Sequence, residues 1–140
     1  MRKISAAAVF ALGFLSLSGH SAAAAGVIYD CTMTNREFGK GWISEQVRVI
    51  LPAQGQPQAY DTMIRRFAKE PIAARVRKNG SKIIARWTLK NIRDNQNQNI
   101  VRFDYVARID TQTMGIHLSA KPAGYTNRLT GTGICKARRA

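Results

Sequence analysis

The sequence predicts an all-β domain: an antiparallel up-and-down barrel of about eight strands, closed by one disulfide bond. Three observations carry this expectation. Apolar and polar residues alternate with period two through most of residues 27–136. No stretch of ten or more residues shows a helical period. The 2 cysteines, Cys31 and Cys135, stand near opposite ends of the alternating region, so a bond between them would tie the first strand to the last. A two-sheet sandwich is the alternative, because Ile50, Ile84, Ile92, Ile100, Val106 and Ile134 fall on the nominally outer face.

Residues 1–25 read as a cleaved secretory signal peptide. Arg2 and Lys3 form a positive head, residues 6–17 an apolar run too short to span a bilayer, and residues 21–25 offer an Ala-x-Ala cleavage site. Removing 25 of 140 residues leaves 115, the size of one domain, here 26–140. Export delivers the two cysteines to an oxidising compartment, periplasmic or extracellular, where thiols of a small domain pair. Such a bond closes a loop of about 100 residues, worth up to ~4.7 kcal/mol in chain entropy.

The strands follow in order. Val27, Tyr29, Cys31 and Met33 share one face of the first. Residues 43–51 form a second, with Val47, Val49 and Leu51 aligned and Glu45 anomalous on the same face. Residues 59–64 form a shorter third, with Tyr60, Thr62 and Ile64 together, and residues 65–70 have room for a single helical turn before Pro71. Asn79-Gly80 between two alternating runs predicts a type I′ hairpin joining strands four and five. With Lys78 facing Ser81, Val76 meets Ile83, Ala74 meets Ala85 and Ile72 meets Trp87, while Arg75 meets Ile84 on the outer wall.

Strand six, 100–109, turns Val101, Phe103, Tyr105, Ala107 and Ile109 to one side, and pairing Trp87 with Phe103 would set Arg86 opposite Asp104. Strand seven aligns Met114, Ile116, Leu118 and Ala120. Strand eight, 125–135, aligns Leu129, Gly131, Gly133 and Cys135, its glycines marking tight bending or close approach at a seam.

This plan resembles that of calycin-type barrels, the lipocalins and avidins, and of small periplasmic barrel inhibitors of lysozyme. The Gly-x-Trp signature of lipocalins is absent, since the residues about Trp42 run Lys40-Gly41-Trp42. The opening Tyr29-Asp30-Cys31 and the closing Gly131-Thr132-Gly133-Ile134-Cys135 are similar to those of small exported bacterial proteins of unassigned function.

Enzymatic chemistry finds little support. Pairing Ile109 with Met114 would put Asp104 opposite Ser119 with His117 nearby, yet His117 and Ser119 lie ~7 Å apart along one strand. A nucleophile and its base need contact near ~3 Å and an oxyanion site besides. No phosphate loop or metal-ligand spacing is present, so no catalytic, cofactor or metal residues are assigned.

The basic excess is the stronger signal. The net charge of +14 falls to +12 when Arg2 and Lys3 leave with the signal. Scattered charge keeps an exported domain soluble, whereas clustered charge points to a partner. In a meander the long connections, residues 35–42, 65–71, 91–99 and 121–127, share one rim. They bring Arg36, Lys40 and Trp42, then Arg65, Arg66 and Phe67, then Lys121 and Tyr125. Cations interleaved with aromatics suit an anionic glycan, a lipid headgroup or a small amphiphile, with Trp42 folding down into the mouth. Nucleic acid is seldom met by an exported chain. The expectation is therefore a non-enzymatic binding protein, monomeric or weakly dimeric. The alternative is a protein-interaction or inhibitor module working through outward Ile84 and Val106. A further row of Arg77, Lys82 and Arg108 is expected near the tight turns.

Overall fold

The computed structural model describes residues 25–39 and 41–140, so the expected signal segment up to Ala24, and Lys40, lie outside the described residues. Nine strands and one short helix follow in order: β1 (Val27–Asn35), β2 (Gln46–Leu51), β3 (Gln58–Asp61), α1 (Thr62–Phe67), β4 (Ile72–Ala73), β5 (Arg75–Asn79), β6 (Lys82–Arg93), β7 (Asn99–Asp110), β8 (Gly115–Pro122) and β9 (Leu129–Arg139).

They form one antiparallel sheet in the order β4-β3-β2-β1-β9-β8-β7-β6-β5. Its two edge strands, β4 and β5, are separated in sequence by Ala74 alone, so the chain itself passes from one edge to the other. The result is the expected up-and-down barrel, nearly closed, which leaves little free strand edge. The fourth strand anticipated at 72–78 is the β4–β5 stretch, broken where buried Ala74 gives its amide to Pro57 O at 2.8 Å.

The second seam joins β1 to β9. Cys31 lies directly opposite Cys135, with Cα atoms 3.9 Å apart, and the two form the predicted disulfide. Beside it Gly133 lies so close to β1 that a methyl group there would overlap the Thr32 carbonyl oxygen. The glycine is required by close approach, as its place in the pattern suggested.

The inward faces follow the alternation: Cys31, Val47, Val49, Ala85, Trp87, Tyr105, Leu118 and Ala120 are all buried. The pairings, however, differ from expectation at three hairpins. Val76 meets Ala85, Trp87 meets Tyr105, and Ile109 meets Ile116. Each offset keeps the same side chains inside and changes only their partners. At the first hairpin the reason is the turn. Gly80 alone has positive φ, at 56°, while Asn79 pairs with Lys82 as a strand residue, so the loop is Gly80-Ser81 with the φ pattern of a II′ rather than a I′ turn.

Three further corrections have local causes. Thr62 and Ile64 belong to α1 rather than to β3, because Asp61 caps the helix by accepting the Ile64 amide at 2.7 Å. Glu45 precedes β2 in the loop and approaches Arg36 at 3.8 Å, which removes the anomaly on that strand. Ile92 and Ile100 are buried, not outward, because Asn91 adopts φ 56° and the inward alternation steps by one residue there. Ile50, Ile84 and Val106 are half-buried on the outer wall, and Ile134 is 54% exposed. No helix among the described residues is long and apolar enough to cross a membrane.

Candidate functional site

Connections alternate ends in the meander, so the β1–β2, β3–β4, β6–β7 and β8–β9 connections share one rim, as expected. Two of them close over the mouth. Helix α1 buries Met63 and Ile64 against the barrel. Trp42 folds down as anticipated: its carbonyl accepts the Tyr105 hydroxyl at 3.0 Å, and its ring stacks on Phe103 with centroids 4.6 Å apart. Below them Trp87 stacks on Tyr105 at 5.5 Å, so aromatic rings fill the upper barrel in layers.

Beside the plug remains a cleft of about 340 Å³. Its apolar side is Trp42, Phe103, Ile100 and Leu129, and its outer lip is Tyr125, 51% exposed. Its polar side is Asp94, Asn95, Gln96 and Asn127. The Asp94 loop is braced from within: the carboxylate accepts the amides of Gln96 at 2.9 Å and Gln98 at 2.7 Å, and Asp94 and Gln98 also pair through their backbones at 3.1 Å. That bracing uses one Asp94 oxygen, and the amide side chains of exposed Asn95 and Gln96 have no hydrogen-bond partner among the described residues. The lip is set by Gly124 at φ 83°, which turns the chain so that the Tyr125 amide reaches Pro122 O at 3.3 Å.

Of the residues expected at this rim, the cleft gathers Trp42 and Tyr125. The cations do not converge on it. Arg36 bends back along its own loop, donating to Ile43 O at 3.4 Å and approaching Glu45. Arg65 lines a different groove of about 330 Å³ on the outer wall with Asp30, Arg48, Tyr60 and Thr62. Arg66 sits over the Phe67 ring at 5.2 Å, a pairing on the shoulder of the mouth. Lys121 stands on the wall opposite Asp104. The cause is the conformation of each connection: α1 points its arginines outward when its apolar side caps the barrel. Asn95, Gln96, Asn127 and Phe103 were missed as site residues, although the Asn- and Gln-rich tract at 91–99 was the available signal.

Two ionisable groups lie beneath the plug. Asp61 is buried, and although the Ile64 and Met63 amides and Ser44 favour its charged form, burial dominates and raises its pKa. Burial also pushes the Tyr105 phenol upward, with the Asp61 carboxylate adding to the effect. On the outer groove the balance reverses for Asp30. Burial raises its pKa, but hydrogen bonds from Arg48 and Arg138, both at 2.6 Å, outweigh it and leave the carboxyl below its ordinary value.

The outer-face Ser/His/Asp set is dispersed by the observed register, with Asp104 opposite Lys121, His117 opposite Arg108 and Ser119 opposite Val106. Among the described residues no group of three or more His, Cys, Asp or Glu is placed to hold a metal ion. Set against protein-family models, curated proteins and solved structures, the chain matches none of them.

Proposed function

We propose that this chain is a non-enzymatic exported binding protein that holds a small amphiphile in the rim cleft. The observation that carries the reading is the division of the cleft into an aromatic side, Trp42 stacked on Phe103, and an amide side, Asn95, Gln96 and Asn127. Pockets that orient small molecules combine an apolar wall with a few placed polar groups. Planar amides donate and accept at once, which suits hydroxyl groups, while ring faces cover a sugar ring or an acyl chain. Among the described residues Asp94 is the one formally charged residue lining the cleft. Binding there is accordingly expected to depend little on salt.

The test uses tryptophan fluorescence with octyl glucoside as probe, held below its micelle concentration. Trp42 reports on the cleft and Trp87 on the core, so Trp42→Phe assigns the signal. A saturable change that persists at 0.5 M salt is expected, together with a loss of ~10-fold or more in affinity in Tyr125→Ala, roughly one buried aromatic contact. A linear, unsaturable response, or unchanged affinity in Tyr125→Ala, would remove the cleft from consideration.

A further inference from the structure

The outer wall over β5, β6 and β7 carries four exposed arginines in two adjacent rows. Arg75 faces Arg86 directly across the β5–β6 pair. In the next row Arg77 and Arg108 flank Ile84 from either side. Opposed positions lie roughly 4.5–5.5 Å apart and successive rows ~6.8 Å apart. The whole chain has 8 acidic residues, and none of them occupies a position within this block. The two that border it on β7 are engaged: Asp104 by the Thr88 hydroxyl and Arg102, Asp110 by Lys82.

The opposite wall shows what neutralisation looks like here, with Arg48 and Arg138 both closed on Asp30. On the four-arginine wall no carboxylate answers, and like charges opposed across strands repel. A ligand anion would relieve that repulsion.

Its chemistry can be read from the geometry. One bidentate guanidinium fork satisfies a planar carboxylate, whereas a tetrahedral phosphate offers oxygens to two forks at once. The facing pair Arg75 and Arg86 presents two. A second row adds Arg77 and Arg108, set two strands apart about Ile84, and cations spread over two rows serve a chain of anions better than a single one. The wall of a barrel is convex, and Ile84 and Val106 are half-buried between the arginines instead of projecting. A flat bilayer would touch such a surface along a line, but a flexible chain can follow it. We infer that this wall is a second binding site, separate from the rim cleft, for a flexible linear polyanion bearing phosphate groups.

The experiment measures fluorescence anisotropy of labelled long-chain inorganic polyphosphate over a salt series. One variant carries Arg75→Gln, Arg77→Gln, Arg86→Gln and Arg108→Gln. A matched control loses the same charge elsewhere, at exposed Lys69, Arg128, Lys136 and Arg139, each replaced by Gln. The wall variant should bind at least ~100-fold more weakly at 0.1 M salt, and its log-affinity against log-salt slope should flatten by about 3, near 0.7 per lost phosphate contact. The control should stay within ~3-fold of the parent. A third variant with lysine at the four wall positions should keep the parent's slope yet bind more weakly, because lysine lacks the fork.

Removing opposed charges should not lower the melting temperature, so misfolding is checked in the same samples. Equal loss in wall and control variants would overturn the site in favour of bulk charge. So would polyglutamate bound as tightly as polyphosphate, which would mean an acidic protein segment, or retention on phosphatidylglycerol vesicles without polyphosphate binding. Octyl glucoside binding is unaffected in the wall variant if both sites exist, which keeps the failure of one separable from failure of the other.

Discussion

Asp61 shows how one side chain serves two requirements that conflict. Its Oδ1 holds the first turn of α1 through the Ile64 amide at 2.7 Å, while its Oδ2 is buried without a partner among the described residues. Burial raises its pKa above the model-peptide value of 3.8, so the folded state holds the proton more firmly than the unfolded chain. The stability linked to that proton is fully present below 3.8 and is lost as pH rises through the folded pKa. Asp61→Asn keeps an oxygen for the Ile64 amide and removes the charge. Its melting temperature should match the parent near pH 3 and move above it as pH rises toward 7. Asp61→Ala, which removes the cap, should lose ~1 kcal/mol near pH 3, where the parent carboxyl is protonated, and less as pH rises and the parent loses its proton-linked stability. Parallel melting curves for Asn variant and parent would mean that the carboxylate is not penalised by burial. Asp30 works in the opposite sense. Although burial raises its pKa, Arg48 and Arg138 bring it below the ordinary value, so its contribution is present above 3.8 and fades as acid protonates it.

Among the elements, the β5–β6 hairpin is where turn chemistry has the largest consequence. A loop of Asn79-Gly80 would set Arg75 against Ile84, but the observed loop of Gly80-Ser81 sets Arg75 against Arg86. Burial cannot choose between these two, because both put Ala85 and Ile83 inside. The turn chooses, through the one residue that tolerates positive φ. Gly80→Val should therefore cost ~1 kcal/mol or more, a β-branched residue being strained at φ 56°. Asn79→Ala should change stability by less than ~0.5 kcal/mol, because Asn79 is an exposed strand residue with ordinary φ. Chemical denaturation of the two variants separates the turn types: a I′ turn would penalise both.

For the molecule as a whole, closure rests on two seams of different kind. One is covalent continuity through Ala74 between β4 and β5; the other is the β1–β9 pairing with its disulfide across a separation of 104 residues. The unfolded chain loses most from the second, since a long loop is tethered only when the bond is intact. Unfolded, unreduced protein should contain no titratable thiol. Replacing both Cys31 and Cys135 by Ala should lower stability by up to ~4.7 kcal/mol in guanidinium unfolding, with the barrel retained where it still folds. A loss below ~1 kcal/mol would show that strand pairing alone constrains the seam.

From the sequence by itself came the closed meander, the disulfide, the inward faces of most strands (β3, whose buried residues are Ala59 and Asp61 rather than Tyr60, excepted) and the sorting of long connections to one rim. These follow from period-two burial and from the positions of two cysteines, which are properties of local pattern and chain ends. Only the tertiary structure decided the strand partners, the helix that begins at Thr62, the step at Asn91, and which rim residues meet. The reason is parity. Moving a pairing by two residues leaves every apolar side chain inside, so alternation carries no information about it, and the turn and the neighbouring strand settle the matter. The connections have no such pattern at all: Arg65 and Arg66 turned outward because Met63 and Ile64 on the same short helix had a barrel mouth to cover. The opposition of Arg75 to Arg86 is thus a product of register, invisible in the alternation of the strands that carry it.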